Sequence, residues 1–264
     1  MFNLKNLAKA AAIGAGLMVA QAPAFAADTD AKPTIVLVHG AFAASDSWDG
    51  VTPILQDEGY QVISVANPLR SVSGDAAYTR SLVDSIAGDV VLVGHSYGGP
   101  VITNAAKGAT NVKSLVYVAS FAPVKGETIA ELAAKFPGGT LGEALAAPVP
   151  LGNGVNDLYI EPTKFHAQFA ADVPADKARL MATAQRPVTD FALNEPSGNA
   201  AWKDIPSFHI FGTADKNIPL AAMEFMAERA NSKKTVVIDG ASHVVMVSNP
   251  KAVADLIVKA ATAN

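Results

Sequence analysis

Runs of apolar residues alternate with stretches of helical periodicity through most of the chain. Six short runs rich in Val, Ile, Leu and Phe predict strands, over residues 34–38, 61–65, 90–93, 113–118, 207–211 and 235–238. Five stretches with apolar residues three and four positions apart predict helices, over residues 48–58, 73–86, 100–106, 220–230 and 252–261. Ser45, Asp46 and Ser47 are candidate caps of the first helix, and Gly59 is expected to end it. Because strands that alternate with helices favour an α/β fold, we expect a doubly wound, mostly parallel sheet.

The alternation stops between residues 119 and 206. This segment has prolines and glycines at irregular spacing, and only short helices are predicted in it, at residues 128–135, 162–170 and 174–184. A crossover between parallel strands needs about a dozen residues and a helix, so the segment is too long for a simple connection. The sequence therefore predicts a helical cap at residues 122–205, inserted into a core formed by residues 27–121 and 206–264.

Residues 1–26 have the parts of a secretory signal peptide. Two lysines precede the apolar residues 10–20, and Ala-Phe-Ala at residues 24–26 gives the small-x-small pattern of a cleavage site. The apolar stretch is about half the roughly 20 residues that span a bilayer, so we expect no membrane association of the mature form. We expect export, with cleavage near Ala26-Ala27 and a periplasmic or secreted product.

Composition narrows the classes of function. The net charge is −4 and there is no run of basic residues, so neither nucleic acid nor an anionic membrane surface is an expected partner. The chain has no cysteine, which excludes disulfides, zinc–thiolate sites and a thiol nucleophile. Histidines and carboxylates do not occur at the spacing of metal ligands, so we expect no metal and no cofactor. The oligomeric state stays open.

A Gly-x-Ser-x-Gly pattern follows the third predicted strand. Gly94, Ser96 and Gly98 form it, with an apolar run before and a helix after, which is the setting of a nucleophile elbow. In such an elbow the serine lies on a tight strand-to-helix turn, and small neighbours allow the chain segments to approach. A glycine-rich turn with an incidental serine is the alternative, which the flanking strand and helix disfavour.

Two later residues can activate this serine. A serine hydroxyl needs a general base, and the base needs a carboxylate that orients it. Asp215 and His243 each follow a predicted strand, where ligands bind in open α/β sheets, and they come in the order Ser, Asp, His. Asp239 and Asp190 are the alternative acids.

The other four histidines fit structural roles better. His39 and His95 lie beside glycines at strand ends, where hydrogen bonds to the backbone are expected. His209 lies inside a strand and is expected to be a satisfied sheet residue, while His166 in the cap has no assignable role.

A tetrahedral intermediate also needs hydrogen-bond donors for its oxyanion. The backbone N–H of Tyr97, which follows the serine, is one candidate, and the loop after the first strand supplies the second. We expect the Ala41 N–H there, with Phe42 as the next choice. Phe42 and Phe121 are also candidate substrate-binding side chains.

The motifs together resemble the α/β-hydrolase fold superfamily. They are Val-His-Gly-Ala at residues 38–41, Gly-His-Ser-Tyr-Gly-Gly at 94–99, Gly-Thr-Ala-Asp at 212–215 and Ala-Ser-His at 241–243. The chain is most similar to the branch of small serine esterases that includes plant methyl-salicylate esterases and hydroxynitrile lyases. The lyases of that branch have threonine at the position of Gly40 and lysine at that of Val244. Because this sequence departs from the lyases at both positions, the resemblance favours ester hydrolysis over lyase activity. Dehalogenase and epoxide-hydrolase relatives have aspartate at the position of Ser96.

We therefore expect an exported serine hydrolase that cleaves small neutral carboxylic esters through an acyl-enzyme intermediate. The alternatives are a carbon–carbon bond hydrolase or lyase, a cofactor-free perhydrolase, and a ligand-binding protein with a slow triad. A neutral substrate is expected because Phe42, Tyr97 and Phe121 would surround the serine, unless Arg186 or Lys164 points into the pocket. The cap aromatics are expected to pack with one another; they are Phe136, Tyr159, Phe165, Phe169, Phe191 and Trp202.

Overall fold

A six-stranded parallel sheet forms the centre of the protein. The computed structural model describes residues 32–263, so the signal peptide predicted at residues 1–26 lies outside the described residues. The strand order is β2-β1-β3-β4-β8-β9, with every neighbouring pair parallel. The strands are β1 Thr34–Val38, β2 Val62–Val65, β3 Val90–His95, β4 Val112–Val118, β8 Ser207–Gly212 and β9 Lys234–Ile238. The predicted α/β fold and all six predicted strands are confirmed.

Helices cover both faces of this sheet, since every residue of β1 and β3 is buried. The core helices are α1 Thr52–Asp57, α2 Val72–Asp84, α3 Gly98–Ala105, α9 Leu220–Arg229, α10 Val245–Ser248 and α11 Pro250–Ala261. Helix α2 packs against α3, and α1 packs against α11. Within residues 32–263, no helix has both the length and the apolar character that crossing a membrane requires.

The predicted start of the first helix, at Trp48 after caps at residues 45–47, is wrong. The structure has a 3-10 helix at Ser45–Trp48 and a separate helix, α1, with Pro53 in its first turn. Proline lacks an N–H and blocks helix propagation from the preceding turn, which explains why α1 begins there. The hydroxyl of Ser47 donates to the Ala44 carbonyl at 2.7 Å and caps no helix.

The segment between β4 and β8 contains the three predicted short helices, together with two further helices and a small sheet that the sequence did not predict. Its helices are α4 Ile129–Ala134, α5 Leu141–Ala144, α6 Pro162–Phe169, α7 Ala175–Ala184 and α8 Asp190–Asn194. Its antiparallel sheet consists of β5 Val149–Pro150, β6 Asn156–Leu158 and β7 Val188–Thr189. Strands of two or three residues are too short to show an alternating pattern. The term cap refers below to residues 122–205.

Arg70, in the loop between β2 and α2, joins the core to the sheet of the cap. Its guanidinium contacts the Asp157 carboxylate at 2.5 Å and donates to the Pro187 carbonyl at 2.6 Å. Its own carbonyl accepts a hydrogen bond from the Thr189 hydroxyl at 2.7 Å. These contacts reach both β6 and the chain around β7, so the cap is attached to the core beyond its two chain connections.

The turn from β3 to α3 brings three chain segments into close contact. Ser96 occupies the left-handed region, with φ 52°, which is costly for a residue with a side chain. A Cβ atom at Gly94 would lie 2.6 Å from the Gly98 carbonyl oxygen, and one at Gly98 would press on the Val38 carbonyl oxygen of β1. The two glycines therefore allow the strained turn to pack against the sheet.

We predict that Gly98→Ala lowers the free energy of unfolding by about 1–3 kcal/mol, because the added methyl group overpacks the turn. Gly88→Ala is the matched control, since Gly88 is exposed and has no atom within 4 Å of an added Cβ. That variant should stay within about 0.5 kcal/mol of the unaltered chain. Denaturant unfolding measures both, and equal stability of the two variants would contradict the packing described for the turn.

Candidate active site

Three candidate catalytic residues lie beyond the carboxyl ends of neighbouring or near-neighbouring strands. Ser96 follows β3, Asp215 follows β8, and His243 lies between β9 and α10. The His243 Nδ1 atom is 2.7 Å from Asp215 Oδ2, and both side chains are completely buried. The structure therefore brings together the candidate acid and the candidate base that chain order and strand-end position predicted.

Both carboxylate oxygens of Asp215 have hydrogen-bond partners in the protein. Its second oxygen, Oδ1, accepts the backbone N–H groups of Asn217 at 2.7 Å and Ile218 at 3.0 Å. An ionised carboxylate only accepts hydrogen bonds, so Nδ1 of His243 carries the proton in this pair. In the neutral ring Nε2 is then unprotonated and available as a base.

The Nε2 atom of His243 is buried and makes no hydrogen bond to the residues the structure describes. Ser96 and His243 line the same cavity, although no hydrogen bond joins their side chains. Catalytic hydrogen bonds often tighten only when substrate is bound. The backbone of the serine is held in place, because the Ser120 hydroxyl donates to the Ser96 carbonyl at 2.6 Å.

The two alternative acids lie in other contacts. Asp239 accepts a hydrogen bond from the Thr213 hydroxyl at 3.0 Å, at an exposed position. Asp190 belongs to the cap and accepts from the side chain of Asn156 at 2.6 Å. Neither carboxylate contacts His243, whereas Asp215 does.

Two backbone N–H groups beside the serine have no acceptor within residues 32–263. Those of Ala41 and Tyr97 donate no hydrogen bond to the described residues, as expected of donors for an oxyanion. The N–H of Phe42, our second choice, donates to the Arg186 carbonyl of the cap at 2.9 Å. Phe42 is thereby removed as an oxyanion donor, and Ala41 and Tyr97 remain.

The side chain of Tyr97 is anchored below the site. Its hydroxyl donates to Asp75 Oδ2 of α2 at 2.8 Å, and both residues are buried. Burial raises the pKa of Asp75, and burial together with the Asp75 charge raises the pKa of the Tyr97 hydroxyl. This pair fixes the residue whose N–H is the candidate oxyanion donor.

His39 and His95 have the backbone roles expected from the sequence. His39 lies 2.9 Å from the Gly40 carbonyl and accepts the Asn67 N–H at 3.1 Å, and burial lowers its pKa to about 4. His95 Nε2 lies 3.1 Å from the His243 carbonyl. Burial and the neighbouring His243 ring lower the pKa of His95 well below 6.5, so it stays neutral and holds the loop of the base.

The remaining two histidines lie away from the site. His209 stacks on Tyr117, with ring centroids 4.7 Å apart, and burial lowers its pKa to about 3. Its Nε2 atom has no hydrogen-bond partner among the described residues, so the expectation of a satisfied side chain is wrong. His166 Nε2 lies 2.8 Å from the Val173 carbonyl, a contact within the cap.

A cavity of about 350 Å³ extends from the candidate nucleophile under the cap. Its polar lining residues are Ser96, Tyr97, Asn217 and His243, and none of the described residues that line it is Asp, Glu, Lys or Arg. Phe42 and Phe121 line the cavity on the core side, together with Ala41 and Ile218. The cap side consists of Ile, Leu, Ala and Gly residues between Ile129 and Leu145, with Leu193.

The cap aromatics do not form one packed cluster. Phe169 packs edge-on against the His243 ring, with centroids 5.1 Å apart, and against Phe42 at 6.1 Å. Phe165 packs on Phe169 at 4.9 Å, whereas Phe191 is 51% exposed. Phe169 therefore covers the candidate base, which no periodicity of the cap sequence indicated.

Sequence reasoning also missed Asn217. It lies two residues after Asp215, at the wall of the cavity, and is 6% exposed. Its position just after a predicted acid was the only signal in the sequence.

Sequence and structure comparisons identify the family and the fold of this chain. The sequence profile described as the alpha/beta hydrolase family matches residues 35–256. An alpha-hydroxynitrile lyase of Arabidopsis thaliana is 26% identical over 253 residues, covering 88% of this chain and 98% of the relative. A pyrethroid hydrolase of Sphingobium wenxiniae is 27% identical over 242 residues, covering 84% of this chain and 85% of the relative.

The crystal structure of polyneuridine aldehyde esterase has the same fold. It superposes with a TM-score of 0.74 at 19% identity, covering 87% of this chain and 99% of that chain. The profile match spans the strands, the elbow and both later loops. This chain belongs to the alpha/beta hydrolase family.

Proposed function

We propose that the protein is a serine esterase that hydrolyses small, neutral carboxylic esters. One observation carries the proposal: in the part of the chain that the structure describes, the buried His243–Asp215 pair leaves Nε2 of His243 without a hydrogen-bond partner, and His243 lines the same cavity as Ser96. Relatives named esterase or hydrolase support the reaction class, including the pyrethroid hydrolase and the esterase PIR7B of rice.

In the proposed reaction the Ser96 oxygen attacks the ester carbonyl carbon, and its proton passes to His243 Nε2. Asp215 stabilises the resulting imidazolium, while the Ala41 and Tyr97 N–H groups bind the oxyanion. Collapse breaks the bond to the alcohol oxygen, which takes the proton from Nε2. Water then attacks the acyl-enzyme with Nε2 as base, and the acid and the free serine are released.

The cavity lining supports a neutral substrate. A charged acyl group would lose its hydration without gaining a partner, at a cost of several kcal/mol. The Lys164 ammonium contacts the Glu161 carboxylate at 2.9 Å and donates to the Glu143 carbonyl at 3.0 Å. Neither Lys164 nor Arg186 is among the cavity-lining residues.

A lyase on the same fold is the competing activity, and one relative carries that name. Position 40 favours hydrolysis. A Cβ atom at Gly40 would lie 2.7 Å from the Ser96 Cβ and 2.8 Å from the His95 carbonyl oxygen, so a threonine has no room here unless the elbow moves. Product analysis separates hydrolysis from carbon–carbon cleavage and perhydrolysis, and labelling of Ser96 by a fluorophosphonate separates an enzyme from a ligand-binding protein.

We predict that Ser96→Ala abolishes hydrolysis of p-nitrophenyl acetate, because it removes the nucleophilic hydroxyl. Asp215→Asn should lower kcat by about 10⁴-fold, because His243 loses the charge that orients it. Asp239→Asn is the matched control and should retain the activity of the unaltered chain, since Asp239 contacts Thr213 instead. Steady-state kinetics measures all three. A small loss in Asp215→Asn with a large one in Asp239→Asn would move the acid to Asp239.

We predict a preference for neutral acyl groups of at least about 100-fold in kcat/KM, the factor that about 3 kcal/mol of uncompensated charge burial implies. The two substrates are p-nitrophenyl pentanoate and the monoanionic p-nitrophenyl succinate, which have acyl groups of similar length. Initial rates at pH 7.5 give the ratio. Faster turnover of the succinate would place a cation, such as Arg186, at the cavity.

We also propose export, supported by the tripartite pattern of residues 1–26. In a Gram-negative host the mature chain should appear in the periplasmic fraction and begin at Ala27. A variant with Ala24→Leu and Ala26→Leu should accumulate unprocessed, because the small side chains before the cleavage point are lost. Amino-terminal sequencing of both fractions is the measurement, and a cytosolic chain that keeps Met1 refutes the proposal.

A further inference from the structure

Asn217 is held at a fixed position beside the candidate triad. Its backbone N–H donates to Asp215 Oδ1 at 2.7 Å, so the residue is tied to the carboxylate that orients His243. The side chain is 6% exposed and lies at the wall of the cavity. The main chain of Asn217 is therefore fixed relative to the carboxylate that orients His243, and its side chain belongs to the cavity that Ser96 also lines.

The orientation of the Asn217 amide follows from its neighbours. The Lys216 carbonyl can only accept, so the Gln168 atom 3.0 Å from it is the amide nitrogen. That nitrogen also lies 2.8 Å from Asn217, which must present its oxygen there. Gln168 is fixed in turn by the Thr140 hydroxyl, which donates to its oxygen at 2.9 Å. The amide nitrogen of Asn217 is therefore the atom of this amide that does not contact Gln168.

This nitrogen, Nδ2, has no partner. It is buried and makes no hydrogen bond to the described residues, and a buried donor without an acceptor is destabilising. Among the cavity-lining side chains, the other buried polar atom without a partner is His243 Nε2, which the proposed reaction uses. Two unpaired atoms, one acceptor and one donor, thus belong to residues of the same cavity.

We propose that Asn217 is a specificity-determining residue, whose Nδ2 donates a hydrogen bond to a second oxygen of the substrate. The preferred substrates are then uncharged esters that carry an ether, hydroxyl or keto oxygen in addition to the ester group. This inference rests on the proposed esterase function. A purely hydrocarbon ester leaves the donor unpaired, whereas an oxygen-bearing ester pairs it.

The test compares esters that differ only by oxygen in place of a methylene group. On the acyl side the pair is p-nitrophenyl 3-methoxypropanoate and p-nitrophenyl pentanoate; on the alcohol side it is 2-methoxyethyl butanoate and butyl butanoate. The ratio of kcat/KM within each pair is measured for the unaltered chain and for Asn217→Leu. The folded fraction of a protein cancels within its own ratio, because both esters are measured on the same sample. The intrinsic reactivity of the two esters cancels when the ratios of the two proteins are compared.

We expect Asn217→Leu to lower the ratio of oxygen-bearing to hydrocarbon ester by about 3- to 10-fold in at least one pair, the range of one neutral hydrogen bond. Thr140→Val is the control, because it removes a hydroxyl from the same amide chain while the Lys216 carbonyl still holds the Gln168 nitrogen and keeps the Asn217 donor in place. If Asn217→Leu does not fold, Asn217→Ala replaces it with a smaller side chain.

Unchanged ratios in both pairs would overturn the inference, and so would an equal fall in Thr140→Val. These outcomes leave the proposed function standing, provided that Ser96→Ala is inactive on the same esters. Turnover of the esters by Ser96→Ala, or no turnover of any by the unaltered chain, would overturn the proposed function and the inference with it.

Discussion

The hydrogen bond between Asp215 and His243 is the interaction around which the rest of the site is arranged. A carboxylate with no exposed surface is tolerated only when its oxygens are paired, and here the imidazole and two backbone N–H groups pair them. The main chain of His243 is held as well, because the His95 ring contacts the His243 carbonyl. The loops after β8 and β9 are thereby linked to the elbow after β3.

The cap completes this arrangement by covering the imidazole. Phe169 lies against the ring, and the hydroxyl of Ser242, beside the base, donates to Asp172 of the cap. Removing water from a site strengthens the electrostatic interactions inside it, which benefits both the acid–base pair and a pair of oxyanion donors. Because the cap contributes only Ile, Leu, Ala and Gly residues to the cavity wall, few polar groups line the cavity. Each of these polar residues has a distinct proposed role.

The central sheet and the candidate triad could be predicted because local sequence determines them. A parallel strand buried on both faces is an apolar run, its end locates the loop, and the elbow glycines identify the serine. The β-strands of the cap could not be predicted, since Val188–Thr189 pairs only with residues far along the chain.

Asn217 shows a second limit of prediction. Which end of its amide is free depends on Gln168, 49 positions away, and on the carbonyl that fixes Gln168. Contacts of that kind depend on the folded arrangement and have no periodic signature. The break between Trp48 and Thr52, by contrast, had a local cause in Pro53 that the sequence does contain.

The hydrogen bond from the Phe42 N–H to the Arg186 carbonyl has a consequence for cap exchange between family members. Phe42 has φ 59°, and the residue before it, Ala41, carries a candidate oxyanion donor. The cap thus supplies the acceptor that restrains this loop from outside the core. A transplanted cap that fits the core in shape but lacks a carbonyl oxygen at the position of Arg186 would leave the loop of Ala41 and Phe42 free to relax. Chimaeras therefore have to preserve a main-chain atom. A comparison of side chains does not show whether that atom is in place.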